Sequence, residues 1–296
     1  MNNELIVVVG PTAIGKTKFA IELAQHFDTS IISADSRQFY KEMYIGTAVP
    51  SKEELATVPH FCVQHKSIHD HYSVRDFENE ALLLMDQLFK KKNKVILVGG
   101  SGLYVKAVVE GLDHIPTVEL SIREELNKNL KVKGLEFLVN QLQDLDPAII
   151  ESIDLQNPRR VIRALEVVLS TRQPLSTFQK HAKVKRPFKV KTIGLSADRA
   201  ILYQRIEQRV DAMIANGLVE EAKGLFKHKH LNALQTVGYR ELFDFFDSKK
   251  TLDSAILQIK QNSRRFAKRQ MTFFNNQMVV DWHDYNTPAE KLFNLL

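Results

Sequence analysis

Cysteine is nearly missing from this sequence: Cys62 stands alone among 296 residues. An internal disulfide is therefore excluded, and so is a cysteine-cluster zinc site. No apolar run approaches the roughly 20 residues that a membrane-spanning helix needs. The amino terminus lacks the basic region and cleavage site of an export signal, because Glu4 leads at once into a strand-like run. Internal repeats and low-complexity tracts are missing too. A cytoplasmic protein with no membrane partner is expected. The 44% hydrophobic and 26% charged content is globular in type. The length suits one large domain or two modest ones.

Acidic excess is also lacking, and the net charge is +6. Its distribution is uneven. Residues 1–110 hold 12 basic and 13 acidic side chains, whereas residues 111–296 hold 29 and 22. The surplus falls in clusters: Arg159, Arg160 and Arg163; then Lys180, Lys183, Lys185, Arg186, Lys189 and Lys191; then Arg264, Arg265, Lys268 and Arg269. Any one cluster reads as a solvated helix face. Three of them after a neutral segment favour a polyanionic partner.

"LIVVVG" (Leu5–Gly10) is a short, continuous apolar run rich in β-branched residues, suited to a buried parallel strand. "KTKFAIELAQHF" follows with Phe19, Leu23 and Phe27 on one helical stripe. "SIISADS" reads as a second strand, "VRDFENEALLLMDQLFKKKN" as an amphipathic helix, and "KVILVGGSGLY" as a third strand running into glycines. This alternation predicts an α/β fold, a P-loop-type parallel sheet with helices on both faces. From about Leu112 the pattern turns helical, Thr177–Val190 reads as a basic loop, and "VKTIGLSA" returns to strand character. The expected organisation is an α/β catalytic domain over residues 1–114 and 188–296, with a small helical insertion over 115–187.

Ligands of such sheets sit beyond the carboxyl ends of the strands. Three ends carry chemistry: Gly10–Thr17, Ala34–Gln38 and Gly99–Tyr104. The first, Gly10-Pro11-Thr12-Ala13-Ile14-Gly15-Lys16-Thr17, fits G-x-x-x-x-G-K-[ST]. Its backbone N–H groups and the following helix N-terminus face phosphate oxygens, Lys16 adds a point charge, and Thr17 offers a hydroxyl to Mg²⁺. By itself the motif reads as nucleotide (ATP) binding. A hydrolase of this class also needs an apolar strand ending in Asp to hold the metal through water. "KVILVGG" ends in Gly-Gly-Ser instead, so the loop can serve a diphosphate that does not belong to ATP. Asp35 is either a turn aspartate or a general base beside the phosphate site. Its dense polar setting of Ser33, Ser36, Arg37, Gln38 and Tyr40 favours the second. Ser101 reads equally as a turn serine or a site residue.

"GPTAIGKT", "SADSRQFYKEMYIGTA", "ILVGGSGLYVKAVVEGL", "NPRRVIRALEV", "QRVDAMIANGLVEE", "TVGYREL" and "RRFAKRQMTFF" resemble, in order and spacing, the tRNA dimethylallyltransferase (isopentenyltransferase) family. Seven blocks from Gly10 to about Phe274 make this more specific than the P-loop. The resemblance implies transfer of a dimethylallyl group from dimethylallyl diphosphate to N6 of adenosine 37, in tRNAs reading codons that begin with U, with Mg²⁺. It implies that the Gly10–Thr17 loop, with Arg209, grips the donor's diphosphate. Asp35 would be the base on N6, and Ser101 would bond near the reacting centre. Asp35, Ser36, Arg37, Gln38, Ser101, Arg123, Arg159, Arg160, Val161, Ile162, Arg163 and Arg240 match segments that touch the anticodon stem-loop, and a monomer is expected. Val49 stands where many members carry lysine, no role passes to His60, and the cysteine pattern of a carboxy-terminal zinc finger is lacking.

The chemistry fits this resemblance. An exocyclic amine is a poor nucleophile, so it needs a proton acceptor and a strongly electrophilic carbon. Charge on a departing diphosphate is stabilised by the loop, Lys16, Arg209 and Mg²⁺, and an apolar tunnel is expected to keep water from the allylic carbon. An adenine in an RNA loop can be splayed out to reach such a site. The alternatives are a small-molecule P-loop kinase, a prenyltransferase acting on free adenine nucleotides, and a non-catalytic RNA-binding protein. His65, His69 and His71 are expected to be solvated loop residues, Phe266 and Phe273 core residues, and Trp282 a packing residue.

Overall fold

The structure is a computed structural model that describes residues 3–116, 118–179 and 184–296. Lys180 and Lys183 of the second basic cluster lie outside the described residues. The chain forms two compact units, Met1–Glu110 with Lys185–Leu296, and Gly111–Val184.

The first unit begins with β1 (Glu4–Val9), α1 (Lys16–His26), β2 (Ile31–Ser33), α2 (Lys52–Thr57), β3 (His60–Phe61), α3 (Val74–Phe89), β4 (Lys94–Val98) and α4 (Gly102–Glu110). The second unit holds α5 (Leu120–Leu145), α6 (Pro147–Ile150), α7 (Pro158–Thr171) and α8 (Leu175–Phe178). The first unit then resumes with β5 (Lys189–Ser196), α9 (Arg199–Ala215), α10 (Leu218–Leu225), α11 (Tyr239–Phe246), α12 (Leu252–Gln277) and β6 (Asp281–Asp284).

The strands form one six-stranded sheet in the order β3-β2-β4-β1-β5-β6, and every neighbouring pair runs parallel. In a sheet covered on both faces, alternate side chains enter two different cores. Ile6 and Val8 pack with Phe19 and Leu23 of α1 and Ile206 of α9. Leu5, Val7 and Val9 pack instead with Phe77 and Met85 of α3, Val105 of α4 and Phe274 of α12. The stripe expected on α1 is present, with Phe27 packed at its edge. β3 and β6 escape the sequence reading: one has two residues, and the other, "DWHD", lacks an apolar run. Trp282 packs against the second core, as expected.

The second unit has a core of its own. Leu126, Leu138 and Leu142 of α5 meet Val161, Leu165 and Val167 of α7. Gly134, at φ 83° and ψ 175°, breaks α5 into two straight pieces, a conformation that glycine tolerates. α7 opens with Asn157, whose side-chain oxygen accepts from the Arg159 N–H at 3.1 Å, and with Pro158 in the first turn.

Gly10 closes β1 at φ 144°, and a Cβ there would lie 2.5 Å from the carbonyl oxygen of Leu195 on β5. Gly10→Ala is therefore expected to lose about 1–3 kcal/mol from the backbone conformation alone, with the clash adding to it. Urea denaturation checks this; a midpoint equal to wild type would contradict it.

Candidate active site

The three chemically equipped strand ends converge on one cavity of about 280 Å³. Its floor is the loop between β1 and α1. Gly10, Ala13 and Gly15 all adopt positive φ, at 144°, 65° and 106°, which curls the backbone into an anion-binding nest. Two distant side chains brace that nest. Arg205 of α9 donates from Nε to the Ala13 carbonyl at 2.8 Å. Gln270 of α12 accepts the Thr12 N–H at 2.8 Å and donates to the Gly100 carbonyl at 2.9 Å. Sequence reasoning missed both residues.

Lys16, Asp35 and Arg209 line the same cavity. The Lys16 ammonium donates to the Pro11 carbonyl at 2.7 Å. Burial pushes its pKa down to about 7, against the opposing pull of Asp35, while Arg209 lowers it further. Arg209 is likewise lowered by burial and supported by Asp35. Lys16 and Arg209 thus share the Asp35 carboxylate, which leaves them able to receive a larger negative charge.

Asp35 makes a turn contact and also lines the cavity. Its Oδ1 accepts the Arg37 N–H at 3.0 Å, an Asx turn, and its carboxylate faces the cations of the cavity. The third strand end explains the missing metal aspartate. A Cβ on Gly99 would lie 2.4 Å from the Ala34 carbonyl oxygen, and one on Gly100 would lie 2.3 Å from Gln270 Nε2. Backbone excludes a side chain at Gly99, and one at Gly100 would have to displace the Gln270 amide. Phe266, Val98 and Ala48 supply apolar wall, while Glu54 of α2 brings a second carboxylate. Phe266 is therefore a correction: at 38% exposure it is a cavity residue rather than core, and Phe274 is the fully buried one. Phe273 is partly buried and closes over Gly102.

Residues 38–277 match the sequence model of the family described as IPP transferase. The chain belongs to the IPP transferase family. It is 52% identical over 296 residues to the tRNA dimethylallyltransferase of Christiangramia forsetii, covering 100% of this chain and 98% of that one. The tRNA dimethylallyltransferase of Flavobacterium johnsoniae is 49% identical, with 99% and 96% covered. Among solved structures, the tRNA isopentenylpyrophosphate transferase of Bacillus halodurans superposes with a TM-score of 0.72 at 37% identity, over 99% and 94% of the two chains.

Several of the residues expected to touch RNA have protein partners here. Ser101 accepts the Ser36 N–H at 3.0 Å and bonds its hydroxyl at 3.1 Å, so it ties two strand ends together. Gln38 donates to the Thr47 and Ala48 carbonyls at 3.3 and 2.9 Å and accepts from Ser33 at 3.1 Å, which leaves its amide scaffolding the 44–49 loop. Glu221 fixes that loop from the other side, accepting the Tyr44, Ile45 and Gly46 N–H groups and the Tyr239 hydroxyl. Val49, in place of the common family lysine, is buried. Arg37 donates to the Asn232 and Ala233 carbonyls, both at 3.1 Å. Arg240 is exposed.

On the helical unit, the Val161 and Ile162 side chains belong to the core, so any RNA contact there falls to their backbone. Arg123 grips the fully buried Glu166 through two hydrogen bonds, and Arg163 reaches the same carboxylate at 3.4 Å. Arg159 and Arg160 are exposed in the first turn of α7, where their charge opposes the helix dipole. Within the second basic cluster, Arg186 is committed to Glu78 and the Ala107 carbonyl, at 2.7 and 2.6 Å. In the third, Arg264 pairs with Glu207, while Arg265, Lys268 and Arg269 are exposed.

Cys62, His65 and Glu80 bring ligand-type atoms within 4.8 Å of one another. Glu80 already accepts from the Tyr72 hydroxyl at 2.7 Å and pairs with Lys66 at 3.0 Å. Burial and the Glu80 charge push the Cys62 thiol up to about 12. Glu80 ties Tyr72 and Lys66 into one network beside the buried thiol. His65 is correspondingly a correction: it lies partly buried between Phe39 and Tyr72, and burial lowers its pKa. His69 and His71 are exposed, as expected.

Proposed function

We propose that the chain transfers a dimethylallyl group from dimethylallyl diphosphate to N6 of adenosine 37 in tRNAs reading codons that begin with U. The observation that carries this reading is the third strand end. The strand ends in Gly99 and Gly100, with Gly99 closed to any side chain by the Ala34 backbone, where a nucleotide hydrolase carries its metal-holding aspartate, while Asp35 lines the cavity with Lys16 and Arg209. A kinase would need that metal-holding aspartate. The curated relatives' name, tRNA dimethylallyltransferase, supplies the acceptor class.

In the proposed reaction the C1–O bond to diphosphate breaks and a bond from N6 to C1 forms. The loop N–H groups, Lys16 and Arg209 take up the charge that collects on the leaving oxygen. Asp35 accepts the N6 proton as the amine becomes positive. Phe266, Val98 and Ala48 keep water from the allylic carbon. Thr17 fits a magnesium ion, because it brings a hydroxyl oxygen to the cavity beside the loop and hard oxygen ligands suit that ion. Bound there, the ion offsets charge on the diphosphate. The tRNA substrate supports a cytoplasmic location.

The test uses purified protein, unmodified tRNA, radiolabelled dimethylallyl diphosphate and magnesium. Label retained on tRNA at adenosine 37 is expected. Transfer to AMP, turnover of ATP, or tRNA binding with no transfer would overturn the reading in favour of a rival.

Arg159 and Arg160 are proposed to hold anticodon-stem phosphates, and the first turn of α7 suits them to anions. Changing both to alanine is expected to reduce the slope of log affinity against log salt by about 0.7–0.9 per lost contact, with melting held or slightly raised because two cations leave the positive end of the helix. Arg123→Ala is expected to do the reverse. It leaves Glu166 short of a partner and destabilises the fold by about 1–3 kcal/mol, tempered because Arg123 keeps 43% of its side chain exposed. Nitrocellulose filter binding across a salt series, beside thermal melts, separates the two; equal melting losses in both variants would contradict the assignment.

A further inference from the structure

We infer that Gln270 is a positioning residue that sets the distance between the diphosphate-gripping loop and the acceptor side of the cavity. The inference rests on the prenyl-transfer reading above and adds a residue to it. Gln270 projects from α12, 6% exposed, into the gap between two strand ends. Its amide oxygen holds the Thr12 N–H, and its amide nitrogen holds the Gly100 carbonyl. One rigid amide plane thus spans the β1 and β4 ends, with each of its two polar atoms matched to a backbone group.

The span continues to the proposed base. Ser101 follows Gly100 in the chain and accepts the Ser36 N–H, and Ser36 follows Asp35. Thr12, Gln270, Gly100, Ser101, Ser36 and Asp35 therefore form an unbroken series of covalent and hydrogen bonds from the leaving-group site to the base. The fit is close: a Cβ on Gly100 would lie 2.3 Å from Gln270 Nε2. The same helix also brings Phe266, one turn earlier, into the cavity wall.

Prenyl transfer is sensitive to this distance. If diphosphate departs before N6 is in reach, the allylic carbon meets water, and the donor is hydrolysed instead of transferred. Small errors in the placement of reacting groups cost large factors in rate. Gln270 accordingly controls kcat and the fidelity of transfer, with little influence on tRNA affinity.

The experiment compares wild type with Gln270→Met, which keeps the length and removes both hydrogen bonds, and Gln270→Glu, which keeps an acceptor for Thr12 but cannot donate to Gly100 when ionised. Labelled diphosphate released, label on tRNA, donor KM, kcat, tRNA affinity and melting temperature are measured together. Wild type should release one diphosphate per prenyl group transferred. Gln270→Met should lose about 10- to 100-fold in kcat and release more than one diphosphate per transfer, with tRNA affinity within about twofold. Gln270→Glu should show the same excess release together with a raised donor KM, because its charge faces the diphosphate. Should Gln270→Met melt below the assay temperature, the Gln270→Glu release ratio decides. A ratio of one in a folded variant, with kcat within twofold of wild type, overturns the role of Gln270 alone. Wild-type protein that transfers nothing overturns the prenyl-transfer reading and this inference together.

Discussion

Asp35→Asn is expected to lower kcat for prenyl transfer by about 100- to 10,000-fold, the range for loss of a general base, while tRNA binds within a few-fold of wild type. Asparagine is the informative replacement because Asp35 has two roles. Its Oδ1 accepts the Arg37 N–H, and an asparagine oxygen can keep that Asx turn while being unable to take a proton. Alanine would remove the turn as well, and Arg37 and Gln38 would lose their present placement. The carboxylate also opposes the effect of burial on Lys16 and supports the charge of Arg209. Part of any loss will therefore appear as altered diphosphate affinity, and single-turnover kinetics at saturating donor isolates the chemical step. A variant with kcat within threefold of wild type under those conditions would remove Asp35 as the base. Equal losses in tRNA affinity and rate would make it an RNA contact.

The sheet, its central strands and the diphosphate loop were legible because each is written in consecutive residues. A β-branched run buries itself whatever lies elsewhere, and Gly10–Thr17 carries its phosphate chemistry within eight positions. The braces of that loop were not legible. Gln270 and Arg205 act on Thr12 and Ala13 across 258 and 192 residues, and each sits in a helix where a polar residue has no pattern of its own. Glu221 was hidden for the same reason: nothing local tells a helical glutamate that holds three backbone N–H groups from one that faces water. Phe266 went wrong through periodicity, since an aromatic on a stripe reads as core whether the stripe meets another helix or a cavity. The arginines divide instructively. Arg123 and Arg159 look alike in sequence, but a buried Glu166 captures the first while the second is exposed. The glycines after β4 read as a missing aspartate, and only the approach of the Ala34 backbone shows that a side chain is excluded at Gly99.

Lys16 carries the other large effect, and it is a pH effect with a definite sign. Burial holds its pKa at about 7 in the free protein, so above that value the ammonium loses its proton and its attraction for diphosphate. The pKa lies below the ordinary lysine value of 10.5, hence the loss occurs on the alkaline side and leaves binding intact at lower pH. kcat/KM for the donor is expected to fall about tenfold per pH unit above about 7. Once diphosphate is bound, its negative charge favours the ammonium and raises the pKa. kcat should then stay level across the range in which kcat/KM declines. Binding at pH 8 must consequently take up a proton, up to one per site, which calorimetry in two buffers of different ionisation enthalpy measures directly. Lys16→Met should abolish both the proton uptake and the alkaline limb, and lower kcat/KM by about 100- to 1,000-fold at pH 6.5, the scale for loss of one charge-stabilising donor. Persistence of the alkaline limb in Lys16→Met would assign the titration to another group. Zero proton uptake by wild type would mean that Lys16 is already charged before the donor arrives, with Asp35 outweighing burial.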